Sequence, residues 1–81
     1  MTIEDVLRRD ETFRYMLLDR MRVDCNVYLG NGNRNVNRLW AGDVALHIAY
    51  MKAIWDSFTE KPVWLTMEEI CQLEVKMLSN S

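Results

Sequence analysis

Residues 28–40 read YLGNGNRNVNRLW, and the elements on either side of this stretch decide the fold. It carries four Asn, two Gly, two Arg and no acid, between large apolar residues. A glycine-rich turn of this kind belongs to a dinucleotide-binding sheet only if it follows a strand and supplies a third glycine at the right spacing. Here Asn35 stands where that glycine would be, and the Gly-Lys-Ser/Thr of a phosphate loop is absent. What precedes it has helical periodicity. Leu17, Leu18, Met21, Cys25, Tyr28 and Leu29 share one face, while Phe13, Met16, Val23 and Val27, interrupted by Arg20, share the opposite one. The spacing predicts a helix from Glu11 to Leu29, with Asp10 as its N-cap and Gly30 just past its end in the left-handed conformation.

The segment after the loop repeats the pattern. Trp40, Val44, His47, Ile48, Met51, Ile54, Trp55 and Phe58 recur at helical spacing and predict a helix over Leu39–Phe58. Its other side carries the small residues Gly42, Ala49 and Ala53, flanked by Leu46 and Tyr50, where a neighbouring helix could approach closely. Pro62 then breaks the chain, because the residue before a proline is pushed out of the helical region. Thr66 and Glu69 form a capping-box pattern, and Leu65 and Ile70 occupy the positions of a hydrophobic staple. The helix they open buries Ile70, Leu73 and Met77, with Met67. At the N-terminus, Thr2 followed by Ile3-Glu4-Asp5 predicts a short helix through about Arg9. No segment alternates with period two. The expected fold is all-α: one domain over residues 1–81, a compact bundle of three main helices with a short N-terminal helix.

Composition narrows the function. Two cysteines cannot build a disulfide framework, the first residues lack the order of a signal peptide, and no apolar run approaches the roughly 18 residues of a membrane span. A cytoplasmic protein is expected. A net charge of −2 argues neither for a duplex-DNA reader nor for a DNA mimic. The charge is unevenly placed: all seven Arg lie between Arg8 and Arg38, and the segment from Asp43 onward holds six acids against three Lys. That split favours either pairing between the halves or orientation toward a partner.

The candidate chemical sites are weak by residue type and spacing. His47 lies within an apolar stripe, where a core histidine is the ordinary reading. Cys25 and Cys71 fall on or beside buried faces without metal-ligand spacing, and Glu68-Glu69 are explained by the helix N-terminus they occupy. No catalytic, cofactor or metal-binding residue is therefore assigned, and an enzyme is not expected. The loop is different. Gly30, Asn31, Gly32 and Asn33 could form an anion-binding nest, with Arg34 and Arg38 adding charge. Tyr28 and Trp40 could stack bases, or they could anchor a rigid loop whose Asn and Arg side chains recognise a protein.

The runs YMLLDRMRVDCNVYLGNGNRNVNRLWAGD and EKPVWLTMEEI resemble the eleventh of the large polyvalent protein-associated domains. Tyr28-Leu29-Gly30, Gly32-Asn33-Arg34, Leu39-Trp40-Ala41 and Trp64-Leu65-Thr66 carry most of the likeness, which covers roughly residues 13 to 71. Such modules occur in giant proteins of phages and conjugative elements and as free-standing chains. The resemblance implies a role in establishing transferred DNA in a bacterial host, and hence a counter-defence, anti-CRISPR-like inhibitor acting in the host cytoplasm by contact with a host defence protein. The alternative is a module that binds single-stranded nucleic acid or guide RNA through the Arg-rich half. The expected partner-binding residues are Asn31, Asn33, Arg34, Asn35, Asn37 and Arg38, with Arg34 displayed to solvent and dispensable for stability. Phe13, Met16, Arg20, Val23 and Val27 are the expected homodimer surface, unless the N-terminal helix folds back over them with Ile3, Val6 and Leu7.

Overall fold

A computed structural model describes residues 2–31 and 33–79. Helix α1 spans Ile3–Leu7, α2 Glu11–Leu29, α3 Val44–Asp56 and α4 Met67–Leu78, with a single 3-10 turn at Val36–Arg38. The bundle of three main helices behind a short leading one is the architecture the periodicity predicts.

Each helix begins where a short polar side chain takes a backbone N–H three residues on. Thr2 Oγ1 accepts from the Asp5 amide at 3.3 Å, Asp10 Oδ1 from Phe13 at 2.8 Å, Asp43 Oδ2 from Leu46 at 2.8 Å and Thr66 Oγ1 from Glu69 at 3.1 Å. A cap of this kind stabilises its helix by about 0.5–2 kcal/mol. The full reciprocal box is at the first helix, where Asp5 Oδ2 accepts from the Thr2 amide. At α4 the Glu69 carboxylate accepts instead from the Thr66 hydroxyl, at 3.3 Å. Leu65 and Ile70, the staple pair, are both buried.

Three expectations about element ends are corrected. The first helix stops at Leu7, with Arg8 as its C-cap, rather than at Arg9. The third helix spans Val44–Asp56 instead of Leu39–Phe58, starting five residues later because the Asp43 carboxylate caps there and Gly42 has φ +74, and ending at the Ser57 C-cap. Gly42 is therefore no part of a small-residue helix face, and Ala49 on that side is exposed. Leu39 still reaches the core and Trp40 packs against it, but from a non-helical chain. Finally, Gly30 has φ −106, not the left-handed conformation. The α2 helix ends with the Gly30 amide shared between the Asn26 and Val27 carbonyls, and the left-handed residues are Asn33 (φ 51) and Arg34 (φ 59). Room is tight at position 30: a Cβ there would sit 3.2 Å from the Asn26 carbonyl oxygen.

Helix α3 is central and packs against α1, α2 and α4. Leu18, Met21 and Cys25 from α2 meet Ile48, Met51 and Ile54 from α3, with Val6, Leu65 and Ile70 closing the same core. Val6 is fully buried because α1 docks on α3. The short helix thus does not shield the second face of α2. On that face Phe13 is half-buried under the Arg9 guanidinium, 4.1 Å from its ring centre, while Met16 remains 68% exposed, and Val23 and Val27 are also exposed. Among the described residues no helix is long and apolar enough to cross a membrane.

Candidate functional site

The 28–40 stretch is a pinned loop. Tyr28 and Leu39 bury its two ends, and the Arg34 amide donates to the Tyr28 carbonyl at 2.9 Å, closing the turn. Asn35 Oδ1 accepts from the Asn37 amide at 3.0 Å and starts the 3-10 turn. Between these ties, the side chains of Asn31, Asn33, Asn37 and Arg38 are exposed. Gly32, the middle of the expected anion nest, lies outside the described residues. Trp40 is half-buried and meets Tyr50 with ring centres 5.9 Å apart, so one aromatic edge of the loop reaches the surface.

Arg34 does not stand free in solvent. Its guanidinium donates to the carbonyls of Lys76 and Met77, at 3.1 and 3.2 Å, in the last turn of α4. The last carbonyls of a helix lie beyond its own hydrogen-bond ladder and carry the negative end of the helix dipole. The left-handed backbone at Arg34 turns its side chain toward α4, and the loop becomes that helix's C-terminal cap. Arg14 treats α3 similarly, donating to the carbonyl (3.3 Å) and hydroxyl (2.6 Å) of Ser57. Lys61 donates to the Asp56 and Phe58 carbonyls at the same end. Arg34, Arg14 and Lys61 thus sit on the carbonyls at helix ends. Among the described residues the ion pairs Arg22–Asp19 and Lys52–Glu74 each join residues of one half.

His47 and Cys25 are core groups. The His47 Nε2–H donates to the Met21 carbonyl at 3.0 Å, and among the described residues Nδ1 is buried without a partner. Burial holds the imidazole below its ordinary pKa, with the Met21 bond and the Asp24 charge acting the other way. The Cys25 thiol, 3.6 Å from the Met51 sulfur, is pushed up to about 12 by burial and by Asp24. It is therefore not a nucleophile near neutral pH. Cys71 is exposed on α4. Among the described residues no three His, Cys, Asp or Glu side chains gather as a metal-binding group.

One cluster was not anticipated from the sequence. Tyr15 packs edge-on against Phe58 and Trp64, at 5.7 and 5.2 Å between ring centres, and the Trp64 indole N–H donates to the Tyr15 hydroxyl. Arg14 lies over Phe58 and Arg22 over Trp64. The nearest signal was the pair of aromatics flanking Pro62, but their partners on α2 are more than 40 positions away. The family model described as Large polyvalent protein-associated domain 11 matches residues 11–77, the whole bundle after α1. No curated protein and no solved structure matches the chain.

Proposed function

Because the chain belongs to the large polyvalent protein-associated domain 11 family, we propose that it is a non-catalytic protein-binding module of a phage or other mobile element. In this reading it acts in the bacterial cytoplasm as a counter-defence inhibitor, in the manner of an anti-CRISPR, by direct contact with a host defence protein. One observation carries the reading. The loop holds Asn31, Asn33, Asn37 and Arg38 outward on a backbone fixed at both ends and tied to α4 through Arg34. A rigid polar loop loses little conformational entropy on binding, and its amides and guanidinium can match a protein surface closely. The exposed Met16, Val23 and Val27 around Arg20 add an apolar face on which a second copy could dock by two-fold symmetry.

The test is phage plating on a host with an active defence system. The parent protein restores plating, and the double variant Asn37→Ala with Arg38→Glu loses that effect while melting like the parent. Equal protection by both proteins would refute the loop as the contact surface. A second reading, binding of single-stranded nucleic acid, is favoured by the Trp40–Tyr50 pair beside Arg38. It requires capture from lysate to disappear on nuclease treatment and affinity to fall steeply with salt. Sedimentation at micromolar concentration tests the dimer: a strict monomer removes it.

A further inference from the structure

A cleft of about 170 Å³ lies between α2 and α4. Arg22 and Asn26 line it from α2, one turn apart, and Glu69, Gln72 and Lys76 from α4, with Leu65 among the apolar residues beneath. Arg22 is held in place from two sides. Its Nη2 pairs with Asp19 at 2.8 Å, and its guanidinium carbon lies 5.3 Å from the Trp64 ring centre. Its Nε–H, by contrast, is buried and has no acceptor among the described residues. Buried donors in folded proteins are almost always satisfied, so an orphan of this kind points to an absent acceptor.

The other groups indicate which acceptor. Among the described residues Lys76 has no carboxylate partner, while Glu69 already accepts from the Thr66 hydroxyl. Counting Asp19, which pairs with Arg22, two cations face two acids, and Asn26 and Gln72 add amide donors. Such a lining suits a monoanion better than a doubly charged phosphate, which Glu69 and the neighbouring Asp19 would repel. The geometry points to a subsite for one carboxylate, the side chain of a Glu or Asp on a partner protein. This deepens the protein-binding reading and rests on it for the source of the carboxylate. The Arg22 guanidinium and Lys76 ammonium take the charge, and the two amides orient it.

The probe is the blocked peptide acetyl-Gly-Glu-Gly-amide, titrated into the isotope-labelled full chain and followed by NMR at constant ionic strength. Its Gln analogue and inorganic phosphate are the other two arms. Saturable shifts of the Arg22 Nε–H and of the Asn26 and Gln72 side-chain amides are expected with the Glu peptide alone. The dissociation constant should be on the order of 1–10 mM, tighter than one exposed ion pair gives, because two cations and two amides converge on the carboxylate. Arg22→Gln should weaken binding about tenfold or more, and Lys76→Gln, which leaves the Trp64 stack in place, severalfold. Unsaturable shifts, equal shifts with the Gln peptide, or binding unchanged in a folded Lys76→Gln variant would each overturn the proposal. Tighter binding of phosphate would overturn it in favour of a phosphate subsite. The peptide reads the cleft without the host target, so a negative result here and a negative plating result fail separately.

Discussion

Replacing Arg34 with Ala removes two N–H donors from the last turn of α4 and leaves the backbone at φ 59 unchanged. A hydrogen bond from a charged donor contributes about 1.5–3 kcal/mol when well buried. Arg34 is exposed, so water replaces much of what is lost. A cation at a helix C-terminus adds about 0.3–1 kcal/mol. The net loss should be about 1–2 kcal/mol, and at roughly 4–8 °C per kcal/mol for a domain this size the melting temperature should fall by about 4–16 °C. A second variant separates side chain from backbone. Glycine also lacks the guanidinium but relieves the left-handed conformation, worth about 1 kcal/mol, so Arg34→Gly should melt above Arg34→Ala. Calorimetry gives both numbers, and amide exchange should show the loss of protection concentrated at the end of α4. An Arg34→Ala protein melting within about 1 °C of the parent, well inside the range worked above, would show that the loop does not cap the helix. Arg34→Gly melting below Arg34→Ala would refute the backbone half of the argument.

His47 should make the protein acid-sensitive. Its folded pKa lies below the ordinary value, so the unfolded chain binds the proton more readily. The contribution is therefore complete above about pH 6.5 and is lost as pH falls toward the folded pKa, at no more than about 1.4 kcal/mol per pH unit. Urea unfolding of His47→Gln should show a flatter profile between about pH 6.5 and 5, and parallel profiles would count against it. Gly30→Ala should destabilise by about 1 kcal/mol, because the new methyl would sit 3.2 Å from the Asn26 carbonyl oxygen and one of the two must shift. A shift in urea midpoint measures it, and an unchanged midpoint would mean the turn yields. In the native protein a thiol reagent should modify Cys71 promptly and Cys25 only at the rate of unfolding. Two equally fast phases would show that the core opens around Cys25.

Tertiary structure revised what local patterns implied about the loop and about α3. Trp40 and Val44 are four apart and both apolar, so periodicity carries a helix straight across Gly42. Only the positive φ at Gly42 and the cap at Asp43 show that the chain is still turning there. Gly30 is informative in the same way. A glycine after a helix ordinarily signals left-handed backbone, yet here φ is −106 and a Cβ would lie 3.2 Å from a carbonyl four residues earlier. Met16, Val23 and Val27 form a second, exposed apolar face of α2. Whether anything in the chain covered them depended on where α1 docked, and it docked on α3.

Taken alone, the sequence determined the helices, three of their four starting caps clearly, the core stripes and the family. These rest on interactions reaching three or four residues along the chain, where residue type and spacing are the whole of the physics. What only the tertiary structure decided is the use made of the arginines. Arg34 meets α4 across 42 and 43 positions, Arg14 meets Ser57 across 43, and Tyr15 meets Trp64 across 49. An exposed arginine in an Asn-rich loop has the same local signature whether it greets a partner or caps a distant helix. The difference lies in which carbonyls the packed bundle brings within about 3 Å of its guanidinium, and no local pattern encodes that distance.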